Sequence, residues 1–266
     1  MPEKTFADHA AEMRNRKRYV IKVGSDVLKR DDGRLSQKRV VDICDQIGYL
    51  MVRENKEIIL VSSGAILTGE GTGQLELPPG LEEGLDKEKK ELAMQQAYAA
   101  IGQPMLCREY AHALESYRTR HGRIKVGQCL VTMQDFEESP QKENIRNTLE
   151  VLLYNNIVAD VNENDTTVTK EIRKGDNDEL SALAGTVSEA DAVIKLTTEK
   201  GVENWSGRDV EYCNKCYKPK ELIQVVKDID GLKGCGVING ETSPKGRGGM
   251  LSAVHAAEKL VASGTP

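Results

Sequence analysis

The sequence predicts an α/β protein in which helices cover both faces of a mostly parallel sheet. Short runs rich in Val and Ile alternate with longer segments of helical periodicity, and this alternation is typical of a parallel sheet. Strands of such a sheet are buried on both faces, so they appear as continuous apolar runs. The predicted strands are RYVIKV (18–23), EIILV (57–61), IKVGQCLV (124–131), IVADV (157–161) and DAVIKL (191–196).

The segments between and after these strands have the apolar spacing of helices. The predicted helices are Ser36 to Glu54, Lys87 to Arg120, Lys142 to Asn155, Asp178 to Glu189 and Gly248 to Ala262. The stretch 202–246 has weaker periodicity and is predicted to form a lobe or extended excursion. Residues 1–17 are expected to be an N-terminal extension, and residues 18–266 one continuous domain.

Composition and charge narrow the class of partner. The chain has 266 residues, 39% of them apolar, a net charge of −5 and a pI near 5.6. Without a basic excess, it has no general electrostatic attraction to nucleic acid or anionic lipid. The first residues lack the apolar core of a secretory signal, and no run is long enough to span a membrane. We therefore expect a cytoplasmic protein that binds small molecules, with neither nucleic acid nor a membrane as partner.

The six cysteines give little indication of a metal or disulfide framework. Four of them lie within or beside apolar or helical patterns, where cysteine behaves as a small hydrophobe. Only Cys213 and Cys216 form a CxxC pair, and there is neither a second CxxC nor a histidine at ligand spacing. No metal-ligating residues are predicted.

Small or polar residues follow four of the predicted strands. In an open parallel sheet, ligands bind beyond the carboxyl ends of the strands, where loops and helix N-termini meet. Exposed backbone N–H groups at such positions favour an anion such as phosphate. The strand ends in question are Gly24-Ser25, Ser63-Gly64, Asn162 to Asp165 and Thr197-Thr198.

Lys22 lies within the otherwise apolar first strand. Burying a lysine is costly unless an anion meets it, so Lys22 indicates an anionic ligand at the end of this strand. The alternative is a side chain that extends to water. Neither GxxxxGKS/T nor GxGxxG is present, which disfavours a P-loop ATPase and a dinucleotide-dependent oxidoreductase.

Two polar loops, NEND (162–165) and GDND (175–178), gather acids and amides between an apolar run and a predicted helix. Turns are commonly rich in these residues, so two ordinary solvated turns are one interpretation. A ligand site is the other.

Seven motifs occur along the chain in the order VIKVGSDVL, ILVSSGAILTG, AAIGQ, VGQCLVT, NTLEVLLYNNIVADVNENDT, KGDNDELSALAG and GRGGM. Together they resemble the glutamate 5-kinases of the amino-acid kinase family, and the resemblance extends from Lys17 to Gly264. It implies a three-layer αβα sandwich that transfers the γ-phosphoryl group of ATP to the side-chain carboxylate of L-glutamate, the first step of proline biosynthesis. It also implies ATP and Mg²⁺ as cofactors, proline as feedback inhibitor, and a homodimer or homotetramer.

The resemblance further implies roles for residues near the strand ends. Lys22 would contact the transferring phosphoryl group, while Asp176 and Asp178 would orient the catalytic lysines. The residues implied in binding glutamate are Ser63, Gly64, Asn162, Asp165 and Asn177. The residues implied in binding ATP are Lys22, Gly24, Ser25, Thr197, Thr198, Arg247, Gly248, Gly249 and Met250.

The chain departs from the family pattern in three places. The glycine-rich segment normally ends in a lysine that binds the transferring phosphates, and here that position is Ala253. Loss of one such donor typically costs about 2.7 to 4 kcal/mol in the transition state; Arg247 and Lys245 are the candidate substitutes. A Thr-Asp pair usually follows the nucleotide-side strand, but here it is Thr197-Thr198. Finally, the family pattern continues with one more strand and often an RNA-binding-like PUA domain, both expected to be absent here.

Three hypotheses therefore remain open from the sequence. The first is an active glutamate 5-kinase with an altered phosphate clamp. The second is a catalytically degenerate paralogue that acts by binding or oligomerising, for which the loss of the lysine at position 253 is the expected sign. The third is a kinase of the same fold with another substrate, which the paired polar loops disfavour.

Overall fold

A five-stranded parallel sheet forms the centre of the computed structural model, which describes residues 6–137, 140–167, 177–204, 206–213, 215–227, 229–235, 237 and 250–264. The strands are β1 (Arg18–Val23), β2 (Glu57–Ser62), β3 (Arg118–Thr119), β4 (Gly122–Arg123), β5 (Lys125–Val131), β6 (Ile157–Glu163), β7 (Ala192–Leu196), β8 (Val210–Tyr212) and β9 (Lys215–Tyr217). The central sheet has the order β5-β6-β2-β1-β7, with every pairing parallel. Its members are the five predicted strands, so the predicted α/β class with a parallel central sheet is confirmed.

Helices connect the strands and cover the sheet. They are α1 (Phe6–Arg14), α2 (Ser25–Leu28), α3 (Gln37–Arg53), α4 (Ala65–Glu70), α5 (Pro79–Gly84), α6 (Lys87–Leu114), α7 (Pro140–Tyr154), α8 (Asn177–Val187), α9 (Ile229–Gly234) and α10 (Met250–Ala262), with a short 3₁₀ helix at Met133–Phe136. The boundaries of α3 follow the prediction closely, since Ser36 caps its N-terminus by accepting a hydrogen bond from the Arg39 N–H.

One predicted helix is too long. The segment expected to be helical from Lys87 to Arg120 ends at Leu114 and is followed by the small β3–β4 hairpin. Gly122 in that hairpin has φ 102°, a left-handed conformation that glycine adopts without strain. Helical periodicity in the last residues of the segment is therefore coincidental, because the chain reverses there.

Alternating side chains of β1 divide between two hydrophobic clusters, one on each face of the sheet. Tyr19, Ile21 and Val23 pack with buried residues of α3 and α6, whereas Val20 packs with buried residues of α7 and α8. Lys22 is two residues beyond Val20, so it lies on the α7/α8 face of the sheet. The same alternation in β2 and β6 produces the predicted arrangement of helices on both faces of the sheet.

Two further parts of the chain pack outside this centre. Helix α10 covers α8, where Ala256 and Leu260 form a buried cluster with Ala182. The predicted lobe contains the antiparallel β8–β9 hairpin and has a small core of its own, made of Val210, Tyr212, Tyr217, Ile223, Leu232 and Val237.

The segment expected to be an N-terminal extension forms α1 ahead of the first central strand. Met13 packs against the cluster of the α3/α6 face, and the Lys56 ammonium donates to the carbonyl oxygens of Arg14 (2.6 Å) and Arg16 (2.7 Å). The described helices include none long and apolar enough to cross a membrane.

Candidate active site

A buried ion pair joins the end of β1 to the start of α8. The Lys22 Nζ lies 2.7 Å from Oδ1 of Asp178, and the two side chains are 7% and 2% exposed. Lys22 reaches this position because it lies on the same face of the sheet as α8, while Asp178 is the second residue of that helix. The alternative that Lys22 extends to water is therefore wrong.

A second lysine, which the sequence analysis did not single out, meets the same carboxylate. Lys195 lies opposite Lys22 in the parallel register of β1 and β7, and its Nζ is 2.5 Å from Oδ2 of Asp178. Its side chain is 30% exposed, and so is more accessible to solvent than that of Lys22, which is 7% exposed. The signal that drew attention to Lys22, a lysine within an apolar strand, is equally present in AVIKL.

The two lysines determine the charge state of Asp178. Burial on its own acts to raise the pKa of this carboxyl, but the ammonium groups of Lys22 and Lys195 outweigh burial and lower the pKa below its ordinary value of 3.8. Asp178 is therefore a carboxylate at neutral pH. We call Lys22, Asp178 and Lys195 the lysine–aspartate cluster; it holds two positive charges and one negative charge.

Gly24 adjoins the cluster without a side chain between them. A Cβ added at Gly24 would lie 4.0 Å from the Lys22 Nζ and 3.8 Å from the carbonyl oxygen of Leu196, at the end of β7. The ends of β1 and β7 thus adjoin each other next to the Lys22 ammonium. Ser25, Thr197 and Thr198, which were expected to bind ATP, are exposed residues at these same strand ends.

The end of β2 meets the start of α8 through Asn177. The Asn177 side-chain amide donates to the Oγ of Ser63 (2.6 Å) and to the carbonyl oxygen of Ser62 (3.2 Å). Gly64 has φ 111°, a conformation that permits the turn from β2 into α4 and that other residues adopt only under strain. Ser63, Gly64 and Asn177, all predicted to bind glutamate, therefore lie together beside Asp178.

Asn162 is directed to the opposite face of the sheet, against α6. It is 2% exposed, and its side-chain amide donates to Oε1 of Gln103 at 3.1 Å. Gln103 in turn donates to the carbonyl oxygen of Glu163 (3.1 Å) and accepts from Gln128 (3.3 Å). Asn162 is thus part of a buried amide network under the loop that follows β6, and Asp165 lies in the half-buried turn of that loop.

Gln103 was missed as a candidate because it lies within a helix rather than at a strand end. It belongs to the AAIGQ motif, in the apolar part of α6, and it is only 4% exposed. A glutamine in such a position is a signal of a buried hydrogen-bond network, since buried polar groups are nearly always paired.

Several predicted site residues lie outside the described residues. These are Asp176, Arg247, Gly248 and Gly249, together with the side chain of Met250, which is the first residue of α10. Within the ranges that the structure describes, no group of three or more His, Cys, Asp or Glu side chains is arranged to hold a metal ion.

Asp160 is a second buried carboxyl near the site. It is 1% exposed, and the Ser62 hydroxyl donates to its Oδ1 at 3.0 Å. Burial raises the pKa of Asp160 to about 6, against the lowering effect of hydrogen bonds from Ser62 and Cys107. Since this pKa exceeds the ordinary value of 3.8, the folded state binds more protons than the unfolded state between these two pH values.

The raised pKa of Asp160 predicts a specific dependence of stability on pH. Its contribution to stability is fully present below about pH 3.8 and is lost as the pH rises through about 6. The shift of the Asp160 pKa from 3.8 to about 6 corresponds to about 3 kcal/mol of folding stability. We expect the stability of Asp160→Asn, relative to the parent, to rise by about this amount between acidic and alkaline pH. Urea unfolding of the parent and of Asp160→Asn, from below pH 3.8 to above pH 6, measures this change in relative stability. A free energy of unfolding that varies with pH in the same way for both proteins would contradict the expectation.

Comparisons with known proteins agree with the sequence motifs. The model of the amino acid kinase family matches residues 17–266. A glutamate 5-kinase of Alkaliphilus oremlandii is 35% identical over 247 residues, which are 92% of this chain and 84% of that protein. A glutamate 5-kinase of Syntrophus aciditrophicus is 35% identical over 254 residues, which are 96% of this chain and 60% of that protein. The chain thus spans less than two thirds of the second relative's length.

Among solved structures, the UMP kinase of Ureaplasma parvum aligns with 71% of this chain and 70% of its own, at 16% sequence identity and a TM-score of 0.43. This likeness is too weak to add to the argument.

Proposed function

Because the chain belongs to the amino acid kinase family, we propose that it transfers the γ-phosphoryl group of ATP to the side-chain carboxylate of L-glutamate. The product would be L-glutamyl 5-phosphate, the first intermediate of proline biosynthesis. The observation that carries this proposal is the lysine–aspartate cluster at the carboxyl ends of β1 and β7, next to the Ser63–Asn177 hydrogen bond. A fixed positive charge beside polar side chains suits a reaction between two anionic substrates.

The proposed chemistry needs no general base. A side-chain oxygen of glutamate forms a bond to the γ-phosphorus, the bond from that phosphorus to the bridging oxygen breaks, and ADP leaves with the electron pair. The attacking carboxylate is already ionised at neutral pH, so no proton has to be removed from it. The protein then has to align the two substrates and stabilise negative charge on the transferring group.

Lys22 would supply a positive charge to the transferring phosphoryl group. Its ion pair with Asp178 fixes the position of the ammonium group before the substrates bind, which is the form in which electrostatic stabilisation is most effective. Asp178 acts through the lysine and is a positioning residue. Asp176 is proposed for the same role from its place in the motif.

The nucleotide would lie over the ends of β1 and β7. We propose that Gly24 and Ser25 contact its phosphates, because a side chain at position 24 would fill space beside the Lys22 ammonium. The other residues proposed to bind ATP are Thr197, Thr198, Arg247, Gly248, Gly249 and Met250. Mg²⁺ would enter as the MgATP complex, since Mg²⁺ commonly keeps water and substrate phosphates as ligands.

Glutamate would lie over the ends of β2 and β6. Asn177, Ser63 and Gly64 are proposed to bind its side-chain carboxylate, and Asp165 suits its α-ammonium group as an acid opposite a cation. Asn162 would contribute through the buried network with Gln103, which supports the loop carrying Asp165.

Trapping of the acyl phosphate tests the proposed activity. The protein with MgATP, L-glutamate and hydroxylamine should form the γ-hydroxamate of glutamate, and omission of any component should abolish it. Lys22→Met should lower the rate by a factor of about 10² to 10³, whereas Lys38→Met, which removes a surface lysine whose side chain is 86% exposed, should not change it. Absence of hydroxamate, or equal formation with L-aspartate in place of L-glutamate, would contradict the proposal.

A second candidate function is binding of glutamate without catalysis. Ala253, at the position where the family pattern has a lysine, favours it. Calorimetric binding of L-glutamate by a protein that forms no hydroxamate would identify this case. For either function we propose a cytoplasmic homodimer or homotetramer, with proline as an inhibitor that competes for the glutamate site.

A further inference from the structure

The second lysine of the cluster has no assigned role in the motifs. Asp178 already has a partner for its charge in the buried Lys22, and one carboxylate balances one ammonium group. Lys195 nevertheless reaches the other oxygen of the same carboxylate at 2.5 Å, so two ammonium groups meet one carboxylate near the carboxyl ends of β1 and β7. Burying part of a second cation is costly unless an anion completes the arrangement.

The register of the sheet fixes Lys195 beside Lys22. The two residues are direct neighbours in the pairing of β1 and β7, so their side chains leave the sheet on the same face. The Lys195 side chain is 30% exposed against 7% for Lys22, so part of it is open to a ligand over the strand ends. Both ammonium groups can thus approach one phosphoryl group.

The packing of α10 on α8 places position 253 near the start of α8, where Asp178 lies. Ala256 packs with Ala182 where α10 covers α8. The two helices run in the same direction, since Leu260 lies beside Gly185 and the Ser263 hydroxyl beside that of Thr186. Ala253 is about one turn before Ala256, and Asp178 is about one turn before Ala182, so the two positions lie at about the same level of the helix pair. A long cationic side chain at position 253 would therefore reach the region that Lys195 reaches from the sheet.

We propose that Lys195, from strand β7, binds the transferring phosphoryl group as the second cation of the site and so supplies the charge that Ala253 lacks. This inference rests on the proposed kinase function. As oxygen of the glutamate side chain bonds to the γ-phosphorus and ADP departs, Lys195 would hold one non-bridging oxygen of the phosphoryl group and Lys22 another. No proton is transferred by either lysine.

Removal of the Lys195 charge is the first test. Lys195→Met keeps the length of the side chain, and Asp178 keeps its ion pair with Lys22, so the variant should fold, as thermal unfolding can verify. We expect kcat to fall by a factor of about 10² to 10³, with little change in the KM for L-glutamate. The matched control is Lys259→Met, which removes a lysine of α10 that pairs with Glu179 next to Asp178; its kcat should equal that of the parent. A Lys195→Met enzyme with unchanged kcat would overturn the inference.

A charge swap separates a direct effect from a structural one. If Lys195 acts as a cation, the double variant Lys195→Met, Ala253→Lys should have a kcat at least about tenfold higher than that of Lys195→Met alone, because an equivalent charge returns from α10. A purely structural role of Lys195 would give no recovery, since Ala253→Lys restores no contact of β7. That result would also overturn the inference.

Nucleotide binding tests the inference without catalysis. In calorimetry with Mg²⁺ and no glutamate, Lys195→Met should weaken ATP binding by about tenfold or more and leave ADP binding unchanged, because only ATP carries the γ-phosphoryl group. Equal weakening of ATP binding and ADP binding, or no weakening of either, would refute a contact with the γ-phosphoryl group. If the parent forms no hydroxamate but the selective loss of ATP affinity is seen, the proposed reaction fails while the assignment of Lys195 stands.

Discussion

Replacing Asp178 with asparagine is expected to destabilise the fold by about 3 to 5 kcal/mol and to lower kcat by a factor of about 10² to 10³. The change keeps the shape of the side chain but removes the only negative charge of the lysine–aspartate cluster. Lys22, whose side chain is 7% exposed, would lose the buried carboxylate that lies 2.7 Å from its ammonium group. Both lysines would also lose the group that fixes their positions. Chemical unfolding and hydroxamate formation measure the two effects separately.

The neighbouring residue provides a matched control for Asp178→Asn. Glu179 is also in the first turn of α8, but its ion pair with Lys259 is at the surface, so Glu179→Gln should cost no more than about 1 kcal/mol and leave kcat unchanged. The pH dependence gives a further check. Because the pKa of Asp178 is lowered, its stabilising charge is present above the ordinary value of 3.8 and is lost only as the pH falls through the lowered value. Equal stability of parent and Asp178→Asn at neutral pH would contradict this account of the cluster.

Replacing Gly102 with alanine is expected to destabilise the protein by about 1 to 3 kcal/mol or more and to raise the KM for L-glutamate. A Cβ at position 102 in α6 would lie 1.8 Å from the carbonyl oxygen of Ala65 and 2.7 Å from the backbone nitrogen of Gly69. Both contacts are with backbone of α4, so the two helices would have to separate. Ala65 directly follows Gly64, and movement of α4 would displace the Ser63–Gly64 turn that contacts Asn177.

Gly84→Ala is the matched control for Gly102→Ala. A Cβ at Gly84, in α5, would meet no atom within 4 Å, so the same chemical change should be neutral or slightly stabilising. Thermal unfolding of both variants, with KM determined for each substrate, separates a local effect on the glutamate side from general unfolding. A Gly102→Ala protein with the stability and KM of the parent would show that α4 and α6 do not need this close approach.

The central sheet could be predicted because its strands are continuous apolar runs, and the polar residues that follow them were identifiable for the same reason. The lysine–aspartate cluster could be predicted only in part. Lys22 and Asp178 were visible as a lysine in an apolar strand and an acid at a helix start. Lys195 carries the same local signal as Lys22, but its contact with Asp178 was not predictable, because it depends on β7 lying next to β1 and strand order is not encoded in local periodicity.

The orientation of Asn162 shows a second limit of local patterns. Side chains alternate along a strand, so a residue near a strand end faces one side of the sheet or the other according to its register. Asn162 faces α6 and bonds to Gln103, whereas Asn177 lies on α8 and bonds to Ser63. The loop motifs predicted that both residues are near the site, but only the three-dimensional register reveals that one is buried beneath it.

The most direct test of the central claim is transfer of an isotopic label from glutamate to phosphate. L-Glutamate labelled with heavy oxygen in its side-chain carboxylate would be incubated with the protein, MgATP and hydroxylamine, and the released inorganic phosphate analysed by mass spectrometry. The proposed reaction predicts that each phosphate carries one labelled oxygen, because the carboxylate oxygen bonded to the γ-phosphorus leaves with it when hydroxylamine attacks the acyl carbon. Phosphate without label would mean that water, rather than glutamate, accepts the phosphoryl group, and would contradict the account.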